Sequence, residues 1–160
     1  MWSWSRMPAT PGFLHAASIR LAAFAALAII PITVNADITT AAKLTSAAYD
    51  WGKLPVITTP KGVRRDVFDG PTTTLDKAHC HITTLNPGEN SGEPRLHLQE
   101  EIIIVKEGTV EATFDGRTQT VGPGSVFFFA ANAVTRLRNA GPTPCTYIVV
   151  YYHAPLTPKP

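Results

Sequence analysis

The chain has little charge and no concentrated patch of one sign. Only 16% of its 160 residues are Asp, Glu, Lys or Arg, and Arg64-Arg65 is the only adjacent basic pair. Arg6 and Arg20 are the only charged residues among the first 36, so the remainder carries twelve basic and twelve acidic side chains. A nucleic-acid-binding domain presents a basic patch or stripe. The sequence therefore predicts no nucleic-acid partner.

The N-terminal region lacks acidic residues and has the pattern of a signal peptide. Residues 21–34, LAAFAALAIIPITV, are uncharged, and Val34-Asn35-Ala36 follows them. This order predicts a secretory signal peptide over residues 1–36, cut after Ala36. The mature chain would then be exported, to the periplasm or out of the cell, with no membrane attachment. The alternative is an uncleaved anchor helix, but 14 residues interrupted by Pro31 fall short of the roughly 20 that span a bilayer.

Cysteine is scarce, with Cys80 and Cys145 the only two. An exported chain with two cysteines favours a disulfide, which would stabilise this fold by roughly 4 kcal/mol through loop-closure entropy. Antiparallel pairing of the two surrounding strands with level ends, however, would place Cys145 opposite Leu85. Cys80 would then lie five residues further along, at about 3.4 Å each, beyond the roughly 7 Å Cα separation that a disulfide tolerates. The strand geometry argues against a bridge.

No long run of helical period occurs after residue 48. Short β-prone runs are instead separated by Gly or Pro turns, which is typical of an all-β sandwich or barrel. Asp115-Gly116 predicts a two-residue hairpin, and runs 126–129 and 148–152 are apolar throughout, which predicts strands buried on both sides. The β-prone runs are residues 54–57, 63–68, 74–85, 101–106, 109–114, 117–121, 125–130, 135–139 and 146–152.

These patterns divide the chain into a leader and one β domain. A single core needs roughly 100 to 150 residues, so one domain with extensions is expected. The expected parts are a signal peptide over 1–36, a polar linker over 37–48, N-terminal strands over 49–75 that pack on a barrel, the barrel itself over 76–154 and a tail over 155–160.

The stretch from Asn86 to Gly108 combines a turn, a histidine and an apolar run. Asn86-Pro87-Gly88 opens it, and His97 is followed four residues later by Glu101, which starts the run that ends at Gly108. This stretch resembles the first part of the two-part signature of the cupin superfamily, with His97 at the position of the second histidine. The residues that match the second part are Gly116, Pro123, Gly124 and Asn139.

The resemblance covers nearly the whole chain after the linker and is specific to exported bacterial single-domain (type 2) cupins. It implies an all-β fold, a cupin-type jelly-roll β-barrel or double-stranded β-helix. Fold alone does not assign an activity. The runs that carry the wider resemblance are Asp50-Trp51, Arg64-Arg65, Phe68 to Pro71, Cys80 to Gly88, Val105 to Gly108, Gly122 to Val126 and Phe128 to Ala130.

The resemblance also implies a site inside the barrel. Metal-binding cupins hold one divalent ion with two motif histidines, the glutamate and a third histidine, which supports oxygen chemistry, isomerisation or hydrolysis. Here only His97 and Glu101 match, because Arg95 stands at the first-histidine position and Thr135 at the third. A guanidinium cannot become a ligand, and its charge roughly 5 Å from such an ion would cost about 6 to 7 kcal/mol. We therefore expect no tightly bound metal and an ion pair between Arg95 and Glu101.

Two further histidines keep a metal-dependent alternative open. Period-two alternation places His79 and His81 on the same face of the run 77–85. If that face is turned into the barrel, His81 could join His97 and Glu101 as ligands of iron, manganese, nickel or zinc. A hydrogen-bonded or half-exposed strand histidine is the simpler interpretation.

Three functions fit these residues. The first is binding of a small polar or anionic ligand in a pocket lined by Arg95, His97, Glu101 and Thr135, with His81 as a further member. The second is a metal-dependent enzyme such as an oxygenase or isomerase. The third is a metal-free acid/base enzyme similar to the sugar epimerases of the superfamily, in which His97 transfers a proton, Glu101 orients it and Arg95 holds an anion. Segment 54–68 could also pair with a second copy as a homodimer.

Overall fold

A computed structural model describes residues 41–155 as two antiparallel sheets that face each other. The predicted signal peptide over 1–36, the start of the linker and all of the tail except Pro155 lie outside the described residues. Within residues 41–155 the only helical element is the 3-10 turn η1, Trp51–Lys53. The all-β prediction is therefore confirmed. No helix in this part of the chain is both long and apolar enough to cross a membrane.

Ten strands follow the 3-10 turn in chain order. Six of them form one sheet in the order β1-β2-β3-β10-β5-β8, and four form the other in the order β4-β9-β6-β7. The strand bounds are β1 Ile57–Thr59, β2 Gly62–Gly70, β3 Lys77–Leu85, β4 Arg95–Leu96, β5 Glu101–Glu107, β6 Val110–Phe114, β7 Arg117–Val121, β8 Val126–Phe129, β9 Val134–Asn139 and β10 Cys145–His153.

The core lies between the inner faces of the two sheets. Ile103 on β5 and Val110 on β6 are 0% exposed, and alternation along each strand sends every second side chain to this side. The rings of Phe114, Phe127 and Phe129 pack with centroid distances between 5.3 and 6.2 Å. This apolar layer holds the sheets together and forms the floor of the region between them.

The outer face of the six-stranded sheet is covered unevenly. Trp51 lies beside it, 4.9 Å from the guanidinium of Arg65 and 4.7 Å from the ammonium of Lys106. Burial of β8 on both sides, which its four apolar residues predicted, is wrong: Val126 and Phe128 are each 60% exposed. The reason is position, because β8 is the edge strand of its sheet and the described N-terminal segment contacts β2 and β5 instead.

The two cysteines are far apart, as the strand geometry predicted. Cys145 pairs with Leu85 and Cys80 with Val150 across the same two strands. Both thiols are free and buried. The strand register that argued against a bridge is confirmed.

Candidate functional site

A cavity of about 300 Å³ lies between the sheets, lined by residues of β1 to β5, β9 and β10 and of the loops beside them. All five site residues named from the sequence line it, although they come from four different strands and one loop. Apolar side chains of Ile103, Leu137 and Val149 form part of its wall. The five predicted lining residues are His81, Arg95, His97, Glu101 and Thr135.

The shortest strand positions two of these residues. β4 pairs with β9 so that Arg95 stands directly opposite Thr135. The backbone of His97 continues this pairing beyond the strand, because its N–H donates to the carbonyl of Ala133 at 3.0 Å and its carbonyl accepts from the N–H of Asn132 at 2.6 Å. The loop residue His97 is therefore held as firmly as a strand residue.

The predicted ion pair between Arg95 and Glu101 is wrong. Arg95 is exposed and makes no ion pair with any acidic residue in the described part of the chain. Glu101, only 7% exposed, instead faces His97, with 3.9 Å between Oε1 and Nδ1. A guanidinium keeps its hydration at the rim of the cavity, whereas pairing at the buried carboxyl would require it to lose that water.

Burial dominates the electrostatics of the cavity interior. It raises the pKa of the Glu101 carboxyl to about 7, an effect that the charge of Arg95 partly offsets. Burial and then the charge of Arg95 lower the pKa of His97. Burial, with Arg64 and His79 nearby, lowers the pKa of His81 to about 3. Near neutral pH the interior therefore presents neutral imidazoles and a partly protonated carboxyl.

Behind His81 lie His79, which strand alternation had already placed on the same face, and two further residues, Asp69 and Tyr151. The Nε2 of His79 lies 2.9 Å from the Nδ1 of His81, and its Nδ1 lies 3.0 Å from Oδ1 of Asp69. The ring of His79 stacks on Tyr151 with 4.4 Å between centroids. His81 is thus the hydrogen-bonded strand histidine of the simpler interpretation, and its ring also lines the cavity.

These groups extend the cavity toward its mouth. A second hollow of about 390 Å³ adds His79 and Tyr151. The residues that it shares with the cavity are Arg64, His81, Arg95, His97 and Glu101. Alternation along β3 is the signal that places His79 on the same side as His81. No comparable signal marks Asp69, which lies on another strand.

The residues present do not fit the divalent metal that the fold family implies. Among the described residues no three His, Cys, Asp or Glu side chains lie close enough together to hold one ion. The Nδ1 of His81 is engaged by His79, and the positive charge of Arg95 acts on both His97 and Glu101.

Comparison with known families and structures agrees with this architecture. The cupin domain family matches residues 81–151, and no curated protein matches the sequence. The fold is similar to an RmlC-like cupin from Shewanella frigidimarina, with 16% identity, coverage of 70% of this chain and 95% of that one, and a TM-score of 0.57. It is also similar to the cupin domain of Cnp3 from Schizosaccharomyces pombe, with 13% identity, coverage of 68% and 75%, and a TM-score of 0.57.

A third similar structure is a sugar phosphate isomerase of the cupin superfamily from Silicibacter pomeroyi. Its identity is 21%, its coverage is 68% of this chain and 77% of that one, and its TM-score is 0.53. At such identities these likenesses show the fold alone. Residues 81–151 are thus a domain of the cupin superfamily, and the two-sheet fold around them is similar to that of these cupin structures.

Proposed function

We propose that the protein binds a small anionic ligand in the cavity between its sheets, without a tightly bound metal, after export from the cell. The observation that carries this proposal is the guanidinium of Arg95. It lines the cavity, makes no ion pair among residues 41–155, and stands above a carboxyl whose charge burial suppresses. An arginine in this setting is suited to a carboxylate or phosphate, which it can hold through two parallel hydrogen bonds.

The rest of the cavity is consistent with a ligand of modest size. A volume of about 300 Å³ with apolar walls and a few convergent polar groups is typical of small-molecule sites. Arg64 and Lys61 also line the cavity, but Arg64 is bound to Asp66 at 2.7 Å and Lys61 to the Oδ1 of Asn90 at 3.0 Å. Of these three basic residues, Arg95 is the one with no side-chain partner among the described residues, and the neutral imidazoles in the cavity supply hydrogen bonds without adding charge.

Replacing Arg95 tests this function. In calorimetric titrations with lactate, malonate and inorganic phosphate, we expect Arg95→Ala to weaken binding about tenfold, because a hydrogen bond to a charged group contributes about 1.5 kcal/mol or more. Arg117→Ala is the matched control, since Arg117 is exposed and pairs with Asp115 away from the cavity. Equal affinity of the Arg95 variant and the wild type would overturn the proposal. About one bound metal ion per chain in the same sample would overturn its metal-free part.

A specific observation favours acid/base catalysis as a second candidate function. The pKa of Glu101 is raised to about 7 by burial, and its carboxyl lies 3.9 Å from Nδ1 of His97. A carboxyl near its pKa at working pH can both give and take a proton. NMR of the same acids in D₂O should show exchange of a carbon-bound proton in wild type and not in Glu101→Gln. If no acid that binds to the wild type exchanges a proton, acid/base catalysis is excluded and ligand binding remains as the function.

A further inference from the structure

His81 has one ring nitrogen whose hydrogen-bonding role the surrounding residues determine. We propose that Asp69 and His79 hold His81 as the tautomer that carries its proton on Nδ1, so that Nε2 is a hydrogen-bond acceptor in the cavity, and that the ligand is a hydroxylated anion. The ligand class rests on the proposed function, which supplies the anionic group held by Arg95. The tautomer rests on the hydrogen bonds alone.

The chain of hydrogen bonds begins at Asp69. Its carboxyl lies 2.9 Å from the ammonium of Lys77 and 3.0 Å from Nδ1 of His79. Burial alone would raise the pKa of this carboxyl, but the hydrogen bonds from Lys77 and His79 outweigh it and lower the pKa. An ionised carboxylate only accepts hydrogen bonds. The Nδ1 of His79 must therefore carry a proton and donate it.

The other nitrogen of His79 is then settled by Arg64. The Nη2 of Arg64 lies 3.5 Å from Nε2 of His79, and a guanidinium has only donors. With a donor on this nitrogen, Nε2 of His79 accepts. Its second neighbour, Nδ1 of His81 at 2.9 Å, must be a donor as well. With the proton of the neutral imidazole on Nδ1, Nε2 of His81 has a bare lone pair.

The arrangement is rigid and leaves that lone pair without a partner. His79 is 7% exposed, and its ring stacks on Tyr151 at an interplanar angle of 17°. No described residue hydrogen-bonds to Nε2 of His81, whose ring lines the same cavity as Arg95. An acceptor left unpaired in a desolvated site is costly. The cavity therefore favours an occupant with a donor.

The donor on the ligand is most simply a hydroxyl. A carboxylate or phosphate bound by Arg95 offers acceptors only. An ammonium donor would stand among the guanidinium groups of Arg64 and Arg95, which repel it. A hydroxyl supplies the donor without charge, so small hydroxy acids and sugar acids or phosphates fit both ends of the site.

The tautomer is tested without any ligand. Long-range ¹H–¹⁵N correlation spectra should show the pattern of a protonated Nδ1 and a bare Nε2 for His81 in the wild type. Asp69→Asn replaces the acceptor with an amide that can donate, and we expect the Nδ1-protonated population of His81 to fall. Asp115→Asn is the control, because Asp115 pairs with Arg117 and contacts neither Arg64 nor the two histidines. His79→Phe keeps a ring for stacking on Tyr151 but removes the hydrogen bond to His81, so it should also lower the Nδ1-protonated population of His81.

A wild-type His81 protonated on Nε2 would overturn the inference and leave anion binding by Arg95 untouched. An unchanged tautomer in both Asp69→Asn and His79→Phe, with well-dispersed spectra that show folded protein, would overturn the role of Asp69 and His79.

The ligand class is tested with pairs that differ by hydroxyl groups: lactate and propionate, gluconate and hexanoate, glycerol 3-phosphate and propyl phosphate. We expect the hydroxylated member to bind the wild type at least about fivefold more tightly in one or more pairs, and this preference to fall in Asp69→Asn but not in Asp115→Asn. No preference in any pair that binds would overturn the ligand class alone. No binding of any member would count against the proposed function itself.

Discussion

Glu101 is the one carboxyl among the described residues that line the cavity. The side chain opens β5, is 7% exposed, and faces His97 across 3.9 Å. A carboxylate in such a place must give up its water, and the charge of Arg95 only partly offsets that penalty. The same burial that makes Glu101 a candidate acid also means that its ionised form destabilises the fold.

Because of this destabilisation, the free energy of unfolding should depend on pH. The folded-state pKa of Glu101 is about 7, above its ordinary 4.5, so between these values the native state binds a proton that the unfolded state has lost. Stability from this group is therefore present below pH 4.5 and is lost as pH rises toward 7, by about 3 kcal/mol. Urea unfolding should show Glu101→Gln gaining this amount over wild type across the same window.

The comparison with Glu101→Gln matters because other groups titrate in the opposite sense. Burial lowers the pKa values of His81 and His97, so their contributions grow as pH rises, but they are present in both proteins and cancel in the difference. Glu100→Gln is the matched control, since the preceding residue does not line the cavity. Parallel stability curves for wild type and Glu101→Gln would show that the buried carboxyl is not responsible.

For single residues, the sequence was sufficient to identify members of the site but not the contacts that they make. Motif spacing and strand alternation were enough to place His81, His97 and Glu101 in one cavity. The partner of Glu101 was not predictable, because it depends on whether a guanidinium at the rim gives up its hydration. Asp69 was missed because a bulge between Asp66 and Phe68 shifts the register of β2. Without that extra residue Asp69 would lie opposite Ala78 and face the other way.

Among the elements, the turn at Gly108 illustrates how the motif glycine serves the fold. Its φ is +76°, and a Cβ there would lie 2.6 Å from the Cα of Cys145 and 2.8 Å from the carbonyl oxygen of Pro144. The turn between β5 and β6 thus contacts the start of β10 through backbone atoms. Only a residue without a side chain allows that approach.

Alanine substitutions at two glycines should separate backbone strain from this close contact. Gly116 has a similar φ of +72° in the β6–β7 hairpin, but nothing lies within 4 Å of a Cβ there. We expect Gly116→Ala to cost about 1 kcal/mol from φ alone and Gly108→Ala about 2 to 4 kcal/mol, because overpacking against backbone is added. Urea unfolding measures both. Equal losses would mean that the approach to Cys145 is not tight.

Another motif residue, Asn139, has a structural role and does not line the cavity. It is 0% exposed at the end of β9. Its Nδ2 donates to the carbonyls of Leu85 at 3.0 Å and Thr143 at 2.8 Å, and its Oδ1 accepts from the N–H of Gly141 at 3.0 Å. The side chain thereby ties the four-stranded sheet to β3 and to the loop before β10.

Strand positions were predictable because turns and alternation are local signals, and the β6–β7 hairpin at Asp115-Gly116 is one example. Burial of a strand is not local. β10 and β8 are both rich in apolar residues. Those of β10, which lies between two neighbouring strands, are at least half-buried, whereas those on the outer side of β8, at the sheet edge, are exposed. The two-residue β4 is likewise specified by its partner β9 and not by its own sequence.

For the whole molecule, the antiparallel order of the strands fixes how distant parts of the chain meet. β3 and β10 are separated by about sixty residues along the chain yet pair over their full length, from Cys145 opposite Leu85 to His153 opposite Lys77. That register keeps Cys80 and Cys145 five residues apart along adjacent strands, roughly 17 Å at the usual rise. Burial raises the pKa of both thiols, which leaves little reactive thiolate.

The native protein should therefore keep two free thiols even in an oxidising medium. Protein purified without reductant and unfolded in the presence of iodoacetamide should gain two carbamidomethyl groups by intact mass, and Cys80→Ala should gain one. Its melting temperature should not change on adding reductant. A bridge would contribute roughly 4 kcal/mol, so its reduction would lower the melting temperature by more than about 10 °C. Alkylation that requires prior reduction would contradict the β3–β10 register, and with it the placement of His79 and His81 in the cavity.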